Sequence, residues 1–162
     1  MRAILLAAVL ASAPLGAAAQ SLARQWELCR SDDATQVIRA CTAVVVAGHQ
    51  SAGLLAHAFA HRGRAFIDRG EFDRAIRDFD QAIRLDPGYP DVRNDRGVAH
   101  MSKGQFDLAV ADFDEAIRLD TNYAIAIYNR GLALRNLGRE EEAAREFSRA
   151  KQVGPRLVPP DE

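Results

Sequence analysis

Two histidines, His57 and His61, come nearest to a metal site by residue type and spacing. Four residues apart on one helix, they would project from the same face, a spacing that can hold a transition metal such as zinc. A third ligand would have to come from a neighbouring segment, where Asp91 and Asp95 occupy the equivalent positions. The simpler interpretation is two polar surface residues, so we predict no bound metal. A metal-dependent factor that uses the His57/His61 face is the alternative.

Other combinations of residues with catalytic potential do not occur in the sequence. It contains no Gly-rich phosphate-binding loop, no Cys/His cluster and no serine-nucleophile motif. Several carboxylates recur at a fixed period, which is typical of solvated helix faces rather than of a catalytic pair: Asp73, Asp78, Asp80, Asp107, Asp112 and Asp114. We therefore predict that the protein is not an enzyme and needs no cofactor.

Residues 1–19 have the layout of a secretory signal peptide. Arg2 precedes an apolar run that ends at Pro14, and residues 17–19 are alanines that precede the predicted cleavage site. The run is shorter than the roughly 20 apolar residues that a membrane-spanning helix needs, which argues against an uncleaved anchor. We expect a periplasmic or secreted protein whose mature chain begins at Gln20 and does not insert stably into a membrane.

The sequence contains two cysteines, Cys29 and Cys41. In an exported protein a single pair is normally a disulfide. A bridge at this separation needs a turn between two helices, and residues 31–33 supply the turn and an aspartate cap. We predict a short helix at Leu22–Arg30 and a second helix at Val37–Val46. The alternative, a redox-active pair, lacks the close spacing and the activating base of such sites.

The charge balance argues against binding to polyanions. The sequence has 21 Lys and Arg residues against 22 Asp and Glu residues, for a net charge of −1. A protein that binds nucleic acid or an anionic membrane electrostatically shows an excess of basic residues. We expect neither nucleic acid nor a membrane surface as a partner.

A period of 34 residues organises the chain from residue 56 to residue 153. Five columns of residues recur in phase through three copies: Gly63, Gly97 and Gly131; Gly70, Gly104 and Gly138; Ala75, Ala109 and Ala143; Phe79, Phe113 and Phe147; Ala82, Ala116 and Ala150. Self-similarity at this period indicates a stack of supersecondary units, none of which can bury its apolar face alone.

Each copy predicts two helices. In the first copy Phe59, Gly63 and Phe66 share one helical face, Gly70 interrupts the pattern, and residues 72–83 carry a second apolar stripe. Glycine and alanine in the shared columns let the two helix axes approach closely, while the phenylalanines fill the remaining space.

This unit resembles the tetratricopeptide repeat (TPR), which has small residues at three fixed positions, an aromatic residue before the last of them, and often a proline at its end. In the first copy those residues are Gly63, Ala75, Phe79, Ala82 and Pro87. The second copy has Thr121 in place of the proline, and the third has Pro155. The start of the chain is similar to exported bacterial members of the family, with Trp26, Cys29 and the run Ala40-Cys41-Thr42.

The resemblance implies an all-α fold, a right-handed superhelical solenoid of antiparallel helix pairs. Three TPR units would follow a degenerate N-terminal helix pair. The expected domains are a signal peptide at 1–19, a disulfide-linked helical cap at 20–50, repeats at 56–89, 90–123 and 124–153 within residues 51–153, and a Pro-rich tail at 154–162.

In TPR stacks the first helices line a concave groove that binds other proteins. The resemblance places these residues there: His57, Ala60, His61, Arg64, Ile67, Asp91, Asn94, Asp95, Val98, Met101, Ile125, Tyr128, Asn129, Leu132 and Arg135. The mixture of polar and apolar groups suits a peptide or a helix, which implies a non-enzymatic scaffold or adaptor in the cell envelope. The family's clamp for chaperone tails is not expected, because Asp95 would repel a terminal carboxylate.

The last repeat has no successor to cover it. Three prolines in residues 154–162 exclude a capping helix, so we expect Ala143, Phe147 and Ala150 to be only partly covered. We expect the tail to cover part of this apolar face and weak self-association to cover the rest of it. A self-assembling module is therefore a further alternative function.

Overall fold

The computed structural model describes residues 15–48 and 50–156, with side chains from residue 21 onward. These residues form eight α-helices and no strand: α1 (Leu15–Cys29), α2 (Ala34–Ala47), α3 (Ala52–Asp68), α4 (Phe72–Leu85), α5 (Pro90–Ser102), α6 (Phe106–Leu119), α7 (Ala124–Asn136) and α8 (Glu140–Val153). Consecutive helices pack as pairs along the chain. The predicted all-α solenoid is confirmed.

The N-terminal cap is a helix pair joined by a disulfide. Asp33 begins α2 by accepting hydrogen bonds from the backbone N–H groups of Thr35 and Gln36, at 2.8 and 3.1 Å. Cys29 and Cys41 form the predicted disulfide, and both residues are fully buried. α1 is longer than the predicted Leu22–Arg30.

Most of the predicted signal segment lies outside the described residues. Residues 1–14 are not described, and residues 15–19 are the beginning of α1. The export prediction therefore stays a prediction. No helix in the described ranges is long and apolar enough to cross a membrane.

Glycine recurs at two positions of each repeat for two different physical reasons. The middle repeat illustrates both. A Cβ atom at Gly97 would lie 2.6 Å from Cε1 of Phe113, so only glycine permits this approach of α5 and α6. Gly104 has a φ of +71°, a left-handed conformation that ends the first helix of the repeat. Glycine thus sets both the spacing of the helix pair and the turn between its helices.

The odd-numbered helices form the inner side of the stack. The backbone of α1 approaches that of α3, α3 approaches α5, and α5 approaches α7, whereas no two even-numbered helices come as close to one another in the described part of the chain. Successive units are therefore closer at their first helices than at their second helices. This difference curves the solenoid and leaves α3, α5 and α7 on its concave face.

A half-buried arginine joins successive repeats on the other side of these first helices. Arg96 on α5 contacts Asp112 of its own repeat at 2.5 Å and Asp80 of the preceding repeat at 2.6 Å. The same arrangement recurs in the other repeats, where Arg62 contacts Asp78 and Thr42, and Arg130 contacts Glu146 and Asp114. We call these contacts the arginine ladder.

The arginine ladder corrects the interpretation of the periodic carboxylates as solvated for Asp78 and Asp112, whereas Asp73, Asp107 and Asp114 are exposed as predicted. Asp78 and Asp112 are only 6% and 4% exposed. A buried carboxylate requires a charged or hydrogen-bonding partner, and here the partner lies 16 residues earlier in the chain. The signal was present in the sequence, because Arg62, Arg96 and Arg130 recur with the same period of 34 residues.

The C-terminal repeat is less well covered, but only at its aromatic residue. Phe79 and Phe113 are fully buried, whereas Phe147 is half-buried. Ala143 and Ala150 are buried, at 1% and 0% exposure, so the prediction of partial cover is wrong for them. The reason is that α7 of the same repeat already covers α8. Residues 157–162 lie outside the described part, so cover by the tail and self-association stay predictions.

Candidate functional site: the concave groove

The predicted groove residues differ in how accessible they are to a partner. His57, Ile125 and Arg135 are exposed, while Ala60 and Asn94 are buried, at 1% and 5% exposure. The remaining predicted residues are half-buried on α3, α5 and α7: His61, Arg64, Ile67, Asp91, Asp95, Val98, Met101, Tyr128, Asn129 and Leu132. The resemblance named positions on three helices and did not predict how deeply each side chain is buried; that these residues bind a partner stays a prediction.

Two contacts between charged or phenolic groups cross the groove, one between α3 and α5 and one between α5 and the residue before α7. Nε of Arg64 on α3 lies 2.6 Å from Oδ2 of Asp95 on α5. The hydroxyl of Tyr123, just before α7, donates to Oδ1 of Asp91 at 2.6 Å. Each contact joins one repeat to the next. The charges of Arg64 and Asp95 are thus already paired within the protein.

Two weaker contacts extend this set. Nδ2 of Asn129 on α7 donates to Oδ1 of Asn94 on α5 at 3.0 Å. Nδ1 of His57 lies 3.1 Å from the hydroxyl of Tyr89, and the two rings pack edge to face. We call these four contacts the polar seam. They hold successive first helices together, a role that sequence reasoning did not assign to these residues.

Burial shifts the pKa of several groups in the groove. Burial raises the pKa of the Asp95 carboxyl, an effect that Arg64 opposes. Burial and the hydrogen bond to Asp91 raise the pKa of the Tyr123 hydroxyl. The pKa of His61 is lowered, first by burial and then by the positive charges of Arg64, His57 and Arg30. His61 is therefore a neutral imidazole at neutral pH.

The C-terminal half of the groove is mainly apolar. Val98 and Met101 pack against the core cluster that contains Phe113. The ring of Tyr128 lies 5.3 Å from that of Phe147, and Ile125 is 40% exposed. This half presents partly open apolar side chains that could be covered by a bound peptide or helix.

The histidine pair does not assemble a metal site in the described residues. No group of three His, Cys, Asp or Glu side chains there is arranged to hold an ion. Of the suggested third ligands, Asp95 is paired with Arg64 and Asp91 accepts from Tyr123. The described geometry gives the metal alternative no support.

A cavity of about 610 Å³ lies at the N-terminal end of the groove, between α1 and α3. We call this cavity the cap pocket. Its main lining residues are Trp26, Glu27, Arg30, Leu54, His57 and His61. Sequence reasoning found the two histidines but not the cavity. It could not place α1 against α3, because α1 has no counterpart in the repeat pattern.

Comparison with known proteins identifies the family. A sequence profile described as "Tetratricopeptide repeat" matches residues 60–124 and 94–161, which together span more than half of the 162 residues. The chain belongs to the TPR family. A comparison with curated proteins finds no match.

Several solved structures are similar to this TPR protein. MamA has a TM-score of 0.74 at 22% identity, covering 86% of this chain and 79% of its own, a likeness of fold. The first TPR of Spaghetti (RPAP3), bound to the HSP90 peptide SRMEEVD, has a TM-score of 0.62 at 26% identity, covering 66% and 83%. The second TPR domain of human RPAP3, in complex with an HSP70 peptide, has a TM-score of 0.58 at 28% identity, covering 62% and 88%.

The TPR match does not extend to the cap. It begins at residue 60, whereas α1, α2 and all residues of the cap pocket except His61 precede that position. The groove proper is thus built by the family's repeats, and its N-terminal end is built by a helix pair added to them.

Proposed function

We propose that this TPR protein is a non-enzymatic scaffold or adaptor that binds a peptide or helix of another protein in its concave groove. One observation carries the proposal. The inner helices α5 and α7 carry partly open apolar residues such as Met101 and Leu132. Such residues are the anchor positions that a bound helix or peptide covers with its own apolar side chains.

The similar structures support peptide binding in such a groove. Two RPAP3 domains, at 26% and 28% identity, are described as bound to HSP90 and HSP70 peptides. The polar groups of the present groove serve contacts between repeats and do not converge on one reacting point, which favours a binding role over catalysis.

The partner differs in chemistry from an acidic chaperone tail bound at the family's clamp. Arg64 is the basic residue at a clamp position, and Asp95 already pairs with it at 2.6 Å. A carboxylate would have to displace Asp95 and leave a half-buried acid without its partner. At the clamp positions we therefore expect neutral parts of a peptide.

We further propose that the protein works in the periplasm or outside the cell. The signal-like residues 1–19 and the disulfide between Cys29 and Cys41 support this location. N-terminal sequencing of the protein from its native host tests the proposal, and we expect the mature chain to begin at Gln20. A mature protein that retains Met1 would contradict it.

Site-specific photo-crosslinking tests the groove as a binding surface. A photoreactive phenylalanine analogue replaces Leu132 inside the groove or, as the control, Leu108, which is 52% exposed on the outer helix α6. In an envelope extract we expect a discrete crosslinked band at position 132 and none at position 108. Equal labelling at both positions, or at neither, would refute groove binding.

A further inference from the structure

The cap pocket combines two apolar walls with an open mouth. Trp26 of α1 is half-buried, and Leu54 at the start of α3 is 43% exposed. A cavity of about 610 Å³ is within the range of ligand sites and is larger than one aromatic side chain. An exposed leucine and a half-buried tryptophan that line the same cavity offer apolar surface that a partner's side chain could bury.

The cap pocket contains a guanidinium that can bind an anion. The guanidinium of Arg30 is exposed and makes no ion pair with any described residue. His61 lies in a positive environment, since Arg64, His57 and Arg30 all act with burial to lower its pKa. Glu27 also lines the pocket and is exposed. Arg30 is thus the cation among the lining residues that is available to a partner's carboxylate.

The cap pocket is continuous with the groove. His57 and His61 lie in both, on the face of α3 that also carries Arg64. A peptide that lies along α3, α5 and α7 would reach the pocket with its next residues. α1 is fixed there by the disulfide from Cys29, which is three residues from Trp26 and adjacent to Arg30.

From this geometry we infer a specific anchor. We propose that the cap pocket binds a bulky apolar, preferably aromatic, side chain of the partner peptide, with a neighbouring carboxylate of that peptide held by Arg30. This inference rests on the proposed groove function and adds its partner chemistry: an aromatic-acidic segment at the cap end, followed by a neutral, partly apolar segment along the groove.

Binding of defined peptides tests this anchor. The probes are fluorescein-labelled, amide-capped Gly/Ser peptides that carry the sequence Phe-Glu-Glu, with matched versions that carry Ala-Glu-Glu or Phe-Lys-Lys. With the full chain and the disulfide intact, fluorescence anisotropy should show saturable binding of the Phe-Glu-Glu probe. Either replacement should weaken it by about tenfold or more, since each removes one of the two proposed contacts.

Charge reversal supplies the matched protein variants. Arg30→Glu should lower the affinity for the Phe-Glu-Glu probe by about tenfold. The same variant should bind the Phe-Lys-Lys probe more tightly than the unmodified protein does. Arg24→Glu is the control, because Arg24 is exposed on the same helix but does not line the cavity. Leu54→Ala should also weaken binding, and Leu108→Ala on α6 should not. These exposed positions leave folding intact.

The outcomes separate the anchor from the groove. If Arg30→Glu and the unmodified protein bind the probe equally, or the lysine probe binds as well as the glutamate probe, the anchor is refuted. The groove function still stands in that case if crosslinking at position 132 succeeds. The chain's own residues 157–162 include Leu157, Val158, Asp161 and Glu162, a similar chemistry. If deleting 157–162 tightens probe binding, that tail occupies the pocket and the inference of a separate partner is overturned.

Discussion

At the scale of single residues, Arg96 shows how one side chain can hold two repeats. Its guanidinium binds Asp112 of its own repeat and Asp80 of the preceding one, and the Asp112 side chain is 5% exposed. A buried ion pair is weak evidence for net stability, but removal of one partner leaves an uncompensated charge in the core. Breaking a contact of the arginine ladder should therefore lower the free energy of unfolding more than breaking a surface ion pair does.

Arg96→Met tests this expectation. We predict that it lowers the free energy of unfolding by about 3–5 kcal/mol, because Asp112 stays buried without a cation. The control is Arg118→Met, which removes an exposed pair with Glu115 three residues away and should change stability little. Urea denaturation followed by circular dichroism measures both. Similar losses in the two variants would show that the ladder has no special role.

His61 should make stability depend on pH. Its native pKa is lowered by burial and nearby cations, so the unfolded chain binds more protons there as the pH falls through about 6.5. We predict that the melting temperature decreases below this pH, and that His61→Gln makes the decrease shallower. Thermal melts from neutral pH to about one unit below the unperturbed histidine pKa measure it. Identical pH profiles for the two proteins would contradict the assignment.

Sequence reasoning predicted the helices of the repeats but not which side chains pair across them. It placed Asn94 in the groove, where the structure buries it against Asn129. It treated Asp112 as solvated because a single helix does not reveal which partner faces it. Exposure at one position depends on residues that are distant in the sequence, and only the packed structure brings them together.

At the scale of helices, the burial of the repeated phenylalanine shows how well neighbouring helices cover each repeat. Phe113 is fully buried between repeats, whereas Phe147 in the last repeat is half-buried. The cost of truncating a core aromatic residue increases with the cavity that remains. The two positions are chemically identical and differ only in their neighbours.

We predict that Phe113→Ala lowers the free energy of unfolding by about 3–5 kcal/mol and that Phe147→Ala lowers it less. Solvent can enter the site at the open end, so the second truncation creates a smaller enclosed cavity. Chemical denaturation of both variants compares them directly. Equal losses would mean that the undescribed tail closes the last repeat in solution.

The helices of the repeats were predictable because each follows the same pattern three times. The break at Gly70 and the capping aspartate before α2 placed helix boundaries within a few residues. α1 was predicted less well, since it has no second copy with which to align it. Its contact with α3, and hence the cap pocket, had no periodic signal.

At the scale of the whole molecule, the disulfide should stabilise the cap more than the repeats. A bridge over 12 residues can contribute about 3 kcal/mol in the chain-entropy account, while each unit of a stack contacts only its neighbours. We predict that Cys29→Ser with Cys41→Ser makes α1 sensitive to protease at a lower temperature and leaves most helicity unchanged. Limited proteolysis and far-UV circular dichroism check this, with reductant added to the double variant as the control. Cooperative loss of all helicity would contradict it.

The contact pattern of the helices also has a mechanical consequence. The backbones of the inner helices approach one another from unit to unit, whereas those of the described outer helices α4, α6 and α8 stay farther apart. A stack whose units approach most closely along one side bends most easily about that side, so small changes in the spacing of the outer helices change the curvature without disturbing the core of a repeat. The groove should widen or narrow as the two ends of the solenoid move, and a bound partner would fix the curvature of the solenoid.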